Sequence, residues 1–382
     1  MKHVTFRDIL ALFQFFLVLP IALIAKIFIR DFWLICEERM EARDNGYWLF
    51  KYIRENHPKQ KIAYAIDRNS VDYAKVQLLG KVIQYGSWSH WFWYLTAKKN
   101  ISSQKGGKPN AVVCYLFEVK IPIWRNKRYF LQHGITINDP QWLYYYKTRF
   151  RLFVCGAEPE YKFVQKNLQY PQKIVQYLGF ARFDQLHLFE TDFDLVLVMP
   201  TWREWIARDM KHKEDFIETE YFHKWNEFLN SADLASLLQK YQKKLLFFPH
   251  RNMQKFLNLF TTNCDRIEIA GSEKYDIQEI LKKSALMITD YSSVFFDFAY
   301  MKKPVLFYQF DESEFRKRQY QEGYFNYHEN PLGAWSGSLQ ELLGLLEGQM
   351  KMGFPENDHI TDFFELFDCK NCERNYRAIL VG

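Results

Sequence analysis

The chain has 382 residues, 18% of them aromatic with 35 Phe and 24 Tyr, which excludes a disordered chain and gives enough length for two domains. A net charge of +6 hides an asymmetry: residues 1–150 carry 23 Lys and Arg against 11 Asp and Glu, and the remainder 28 against 34. A basic front half fits nucleic acid or an anionic membrane surface. The absence of zinc-finger spacing, an RNA-recognition signature or a basic zipper sets nucleic acid aside.

The first element is apolar. Seventeen residues from Ile9 to Ala25 carry no charge, Lys2, Arg7, Lys26 and Arg30 bracket them, and Ile27 to Cys36 adds an aromatic-rich run. Seventeen residues is the lower limit for a spanning helix, and no small-residue cleavage site follows. A short span, an in-plane anchor with snorkelling cations and a buried core helix all fit. Membrane attachment is favoured, and residues 1–36 are assigned to a hydrophobic membrane-associating segment. The adjoining positive charge points to the cytoplasmic face, peripheral or monotopic.

Short apolar runs then alternate with amphipathic stretches, the pattern of parallel α/β layers. Strands are predicted over 61–66, 81–85, 129–132 and 152–155, with helices over 71–79 and from about Glu158. Glu190 to Asp194 reads as a polar linker. A second series follows: strands over 195–199 and 244–248, helices over 222–229 and 234–241. Two α/β lobes follow, residues 37–189 and 190–382, and ligands in such folds bind outside the carboxyl ends of the strands. His133, Pro200–Arg203, His250 and Asp290–Ser293 all come directly after apolar strands.

Residues 285–308 carry the most information. Ala285–Ile288 reads as a buried strand and Thr289-Asp-Tyr-Ser-Ser293 as a capping loop. A helix follows from Val294 with Asp297 in its first turns, Lys302-Lys303 and Pro304 close it, and Val305–Tyr308 is the next strand. Unpaired amides, the helix dipole and two serine hydroxyls would make an anion site. An ordinary capped crossover helix fits the same pattern.

Cysteines 36, 114, 155, 264, 369 and 372 fall in apparent core segments and read as buried free thiols of a reducing compartment. Cys369 and Cys372 lack the second pair a zinc site needs. No carboxylate and histidine spacing reads as a metal site, and no G-x-G-x-x-G or P-loop is present, so the cofactor expectation is none, with a loosely bound Mg²⁺ left open.

Thr289–Ser293 with Asp297 and Lys302–Tyr308 resembles the signature of the CDP-glycerol glycerophosphotransferase family, the teichoic-acid-type polyol phosphate transferases. Further matches follow in order: Ala42-Arg-Asp-Asn-Gly-Tyr47, Phe50-Lys-Tyr52, Gln132-His-Gly134, Leu178-Gly179, Arg182-Phe-Asp184, Met199-Pro-Thr-Trp-Arg203, Pro249-His250 and Asp276-Ile277. Together they cover nearly all the chain beyond residue 35. The resemblance implies a GT-B-like pair of Rossmann-like lobes, acceptor side first and CDP donor mainly in the second. It implies transfer of glycerol phosphate or ribitol phosphate from a CDP-activated donor to a hydroxyl of a lipid-linked wall or capsule precursor, releasing CMP. The alternative is a GT-B glycosyltransferase using a nucleotide-sugar, and a non-catalytic membrane scaffold is a third reading.

That chemistry needs a base, positive potential around a pyrophosphate and a nucleotide pocket. His133 is the candidate base, since an imidazole takes a proton at neutral pH and Gly134 lets substrate approach. Gln132 stands where the family has Trp, and Ile135-Thr136 where it has Thr-Pro, which touches acceptor identity. His250 is the second catalytic candidate. Arg203, Arg251, Ser292 and Ser293 are candidates for donor phosphates, and Asp276, Thr289, Asp290 and Asp297 for nucleotide or polyol contacts or capping, with orientation of a histidine or arginine a further role for Asp290 and Asp297. Asp44, Asn45, Gln132 and Gly134 are placed on the acceptor side, with capping of the following helix as the other role for Asp44 and Asn45. The partners implied are a CDP-polyol, a lipid-linked acceptor and the membrane surface, with a homo-oligomer left open.

Overall fold

The computed structural model describes residues 5–122, 124, 127–210 and 213–382. The chain divides into two compact units, one made of residues 1–135, 141–185 and 368–382, the other of 136–140 and 186–367.

The first unit is built on a parallel sheet of β1 (Trp33–Cys36), β2 (Ile62–Ile66), β3 (Val82–Gln84), β4 (Lys99–Ser102), β5 (Arg128–Phe130), β6 (Leu152–Cys155) and β7 (Val175–Tyr177). Their order is β3-β2-β1-β4-β5-β6-β7, so the direction of winding reverses between β1 and β4. The second unit repeats the plan with β8 (Asp192–Met199), β9 (Lys244–Phe247), β10 (Ile267–Ile269), β11 (Ser284–Thr289), β12 (Val305–Tyr308) and β13 (Ala334–Ser336). The order there is β10-β9-β8-β11-β12-β13, reversing between β8 and β11. Both are doubly wound Rossmann-like sheets, in which ligands bind beyond the carboxyl ends where the winding reverses. Trp225 anchors the second core, fully buried and edge-on to Tyr308 at 5.3 Å.

Three expectations change. Residues 33–36, read as the end of a membrane segment, form β1, in the interior of the first sheet with all four residues buried. A strand covered on both faces is continuously apolar, and four residues carry no periodicity to separate it from a membrane run. The polar stretch expected as a linker instead opens β8, whose first three residues are exposed. The boundary after residue 189 moves to 185, and the C-terminal helix Asn371–Val381 belongs to the first unit. That helix is tied down by Asp184, whose carboxylate accepts from the Asn371 and Cys372 amides at 2.8 and 2.9 Å. Tyr376 stacks on His57 at 3.9 Å, and buried Lys99 of β4 donates to the helix's last carbonyls, Ile379 and Leu380. Gly179 (φ 74°) must be glycine, because a Cβ there would come within 1.8 Å of the Asn371 Oδ1. All six cysteines are free; Cys369 is exposed and so is not a core thiol.

The apolar N-terminal element is a 23-residue helix, Phe6–Phe28, opened by a Thr5–Asp8 capping box and long and apolar enough to cross a membrane. Ala11, Phe15, Val18 and Ala22 form a stripe buried against Trp91, Tyr94 and Phe117. Within that seam Gln14 accepts from the Trp91 indole at 3.0 Å. The other side exposes Ile9, Phe13, Leu17, Ile21 and Ile24. Apolar residues therefore cover both the packed face and the bare face.

Candidate functional site

In the second unit the loops after β8, β9, β11 and β12 converge where the winding reverses. Arg203, from the β8 loop, is completely buried. Its guanidinium grips Asp311 through two bonds of 2.7 and 2.9 Å, lies 2.9 Å from the Asp290 carboxylate, and donates to the Thr201 carbonyl at 3.0 Å. The rings of Tyr221, Tyr291 and Phe315 lie at 5.0–5.2 Å. The candidate phosphate clamp is held here as a buried cation, its guanidinium engaged by Asp311, Asp290 and Thr201 and flanked by three rings.

Asp290 is equally internal. Its Oδ1 accepts from the Thr201 and Tyr291 amides, both at 2.7 Å, and its carbonyl accepts from Gln309 at 2.8 Å. Burial pushes its carboxyl upward, and Arg203 and the two amides pull it back. Thr289 is fully buried and donates its hydroxyl to the Met199 carbonyl at 2.7 Å, clipping β11 to β8. Asp297 is buried in the following helix, and Asp276 caps the helix Ile277–Lys283 through the Gln278 amide. Thr289 and Asp290 build the floor of the loop, and of the roles open to Asp290 the structure shows the orientation of an arginine, Arg203.

Ser292 and Ser293 sit on that floor, half-buried. The helix after them, Phe295–Tyr300, has only six residues and buries all of them. Turn carbonyls take the amides of Phe295, Phe296 and Asp297, and the Val294 amide reaches the Ser292 hydroxyl at 3.4 Å. The anion site expected from the whole helix start thus narrows to two residues. Among the described residues nothing accepts from the Ser292 and Ser293 amides.

His250, after β9, is half-buried and stacks on Trp202 at 6.0 Å. Its amide donates to the Pro200 carbonyl at 3.0 Å, joining the β9 and β8 loops. The ring Nδ1 accepts from the Asn252 amide at 3.2 Å, which assigns the tautomer with hydrogen on Nε2. Burial, with Arg251 beside it, pulls its pKa down to about 4. At neutral pH it is an uncharged N–H donor held by a stacked indole. Arg251 is exposed beside it.

In the first unit the winding reverses between β1 and β4, where Glu37 and Ser103 directly follow the strands. Glu37, which the sequence reading missed, is buried and accepts from the Gly46 and Tyr47 amides at 2.7 and 3.0 Å, from the Tyr64 hydroxyl at 2.6 Å, and from Ser103. Burial, with Asp44 nearby, raises its pKa to about 7. It closes the start of the helix Asn45–Asn56, and a Cβ on Gly46 would lie 2.6 Å from its carboxyl carbon.

The same helix start holds His133 in place. Asp44 caps it through the Asn45 amide and pairs with Arg182 at 3.0 Å. Asn45 is buried, donating to the Gln132 carbonyl at 2.6 Å and accepting from the Arg182 amide at 3.0 Å. Gln132 is buried in the left-handed region (φ 56°), and its side chain accepts from the His133 amide at 2.9 Å. Gly134 is buried, while His133 is exposed and stacks on Trp142 at 6.5 Å. Asn45 and Gln132, placed on the acceptor side, are internal struts that aim the peptide carrying His133. Arg182 lies in the Arg182-Phe-Asp184 motif, whereas Asp311 was missed, although it stands just beyond the carboxyl end of β12. Among the described residues no group of three or more His, Cys, Asp or Glu side chains is placed to hold a metal ion.

Residues 181–380 match the model of the CDP-glycerol:poly(glycerophosphate) glycerophosphotransferase family. Over 364 residues the chain is 32% identical to the minor teichoic acid biosynthesis protein GgaB of Bacillus subtilis (strain 168), covering 91% of this chain and 39% of that protein. It is 25% identical over 219 residues to the teichoic acid poly(glycerol phosphate) polymerase of Bacillus spizizenii, covering 57% and 49%. The chain therefore spans less than half the length of these relatives. The solved wall teichoic acid polymerase TagF superposes with a TM-score of 0.66 at 15% identity, covering 97% of this chain and 93% of that one, which establishes a shared GT-B-like fold. With half of its length inside the family model and the motif loops at the carboxyl ends of both sheets, the chain belongs to the CDP-glycerol:poly(glycerophosphate) glycerophosphotransferase family.

Proposed function

We propose that the protein transfers a polyol phosphate, glycerol phosphate or ribitol phosphate, from a CDP-activated donor to a hydroxyl of a lipid-linked polymer precursor. The acceptor oxygen attacks the phosphorus bearing the polyol. A new P–O bond forms, the bond to the bridging oxygen breaks, and CMP leaves. His133, exposed on a rigidly held peptide, takes the hydroxyl proton. His250 donates its Nε2–H to a phosphoryl oxygen, and Arg251 adds positive charge. The Ser292 and Ser293 amides and hydroxyls hold the donor phosphates.

The observation that carries the reading is the pair of unsatisfied amides at Ser292 and Ser293, set at the winding reversal inside the family-matched span. Attachment to the cytoplasmic face of the membrane through the bare side of the Phe6–Phe28 helix is part of the proposal. A helix packed along one face as far as Ala22 favours an in-plane arrangement over a span.

Incubating the full chain with membranes and labelled CDP-glycerol, CDP-ribitol or a UDP-sugar panel, with and without chelator, tests the reading. CMP release coupled to labelled polymer is expected with a CDP-polyol. UDP release with a sugar nucleotide and none with either CDP-polyol would replace it by a sugar transferase.

A further inference from the structure

At the amino ends of the first sheet, away from the loops described above, lies a pocket of about 440 Å³. Its apolar wall includes Phe28 at the end of the N-terminal helix, Phe32 before β1, and Trp93. Three cations line it: Arg54, Lys61 and Lys81. The Lys81 ammonium stands 3.7 Å over the Trp93 ring and 5.7 Å from the centre of Phe32. Arg54 donates only to carbonyls, of Leu79, Pro58 and Gln60. Among the described residues none of the three has a carboxylate partner. Three uncompensated cations around an aromatic wall form a site for a ligand that is anionic at one end and apolar at the other.

The bare side of the N-terminal helix runs into this pocket. Ile24, Ile27 and Phe28 are all more than 60% exposed, and Phe28 is itself part of the wall. An acyl chain lying along that face would bring its headgroup to Lys61 and Lys81. We propose that this pocket binds the phosphate headgroup of an anionic phospholipid, with the lipid tail against Trp93 and the end of the helix. The inference rests on the membrane attachment proposed above and adds to it a defined, charge-selective lipid site remote from the transfer chemistry.

Monomeric short-chain lipids separate the pocket from general membrane adhesion. Calorimetric titration of the full chain with dihexanoyl phosphatidylglycerol below its micelle concentration should show saturable binding. Dihexanoyl phosphatidylcholine and inorganic phosphate should each bind at least tenfold more weakly. Lys61→Glu with Lys81→Glu, both at exposed positions, should lower phosphatidylglycerol affinity at least tenfold without changing the unfolding midpoint. Brominated acyl chains should quench tryptophan emission, and Trp93→Phe should reduce that quenching. Equal binding of the two lipids, equal binding of free phosphate, or unchanged affinity in the double variant would overturn the proposal. Vesicle pelleting answers separately for attachment. If the wild type pellets with neither phosphatidylglycerol nor phosphatidylcholine vesicles, attachment fails while the monomer titration still decides the pocket.

Discussion

Arg203 and Asp290 stand 2.9 Å apart with both side chains sealed from water, and Asp311 closes the guanidinium's other edge. Removing one member of a buried charge cluster strands the others. Arg203→Met should cost about 3–5 kcal/mol of stability, read as a lower urea midpoint. Arg203→Lys keeps the charge without the planar fork and should fall between. An unchanged midpoint in Arg203→Met would contradict a structural role.

Ser292 and Ser293 sit on the floor that this cluster supports. Changing both to Ala should weaken CDP-glycerol binding by about 1–3 kcal/mol, because hydroxyl bonds to a charged phosphate are lost. Half-buried hydroxyls lost to Ala should move the unfolding midpoint little. Calorimetric titration of the donor measures the first effect and urea denaturation the second.

His250→Ala should reduce turnover about 10²–10³-fold, and His250→Gln, which retains an N–H donor, should lose less. With its pKa held near 4 by burial, the ring stays uncharged throughout the physiological range. The unfolded ring binds its proton near 6.5, so between 6.5 and 4 the unfolded state holds more protons and stability falls as pH falls. His250→Gln should flatten that segment of the stability profile, and any kinetic limb from this residue should lie near 4.

Glu37 titrates with the opposite sign. Its folded pKa is raised to about 7, above the unfolded carboxyl value near 4.3, so the folded state holds the extra proton between them. Its contribution is therefore greatest in acid and declines as pH rises toward 7. Denaturation midpoints of the wild type and Glu37→Gln at pH 5, 6, 7 and 8 should show this decline only in the wild type.

Leu17 and Ile24 lie on the bare side of the N-terminal helix. Leu17→Glu with Ile24→Glu should release the protein from vesicles in a pelleting assay and leave the unfolding midpoint within about 0.5 kcal/mol, since neither packs in the core. Ala22→Glu, on the buried stripe, should instead destabilise the first unit.

The alternation of apolar runs with amphipathic stretches made most of both sheets readable, because strands buried on two faces announce themselves when turns bracket them. β6 falls on the predicted residues, and β2 and β9 each differ from prediction by one residue at one end. β1 escaped because the Arg30-Asp31 break before it reads equally well as the charged flank of a membrane segment, and its own four apolar residues carry no period. β4 escaped for the opposite reason: Lys99 and Asn100 look exposed until the carbonyls of a helix hundreds of residues later accept the lysine's hydrogens. Motif positions fall on the loops at the carboxyl ends of both sheets but do not separate walls from foundations. Arg203, Asp290 and Asn45 point inward because partners far away in sequence receive them, and one-dimensional spacing does not report those partners.

Because Asn371–Val381 packs on a sheet whose last strand ends at Tyr177, the first unit stays open during synthesis until that helix has emerged. Nearly all of the second unit, residues 186–367, is contiguous and can mature on the ribosome while its elder waits with Lys99 uncapped. Nonsense or frameshift lesions anywhere between codons 186 and 371 would therefore cripple the fold of the earlier strands as well.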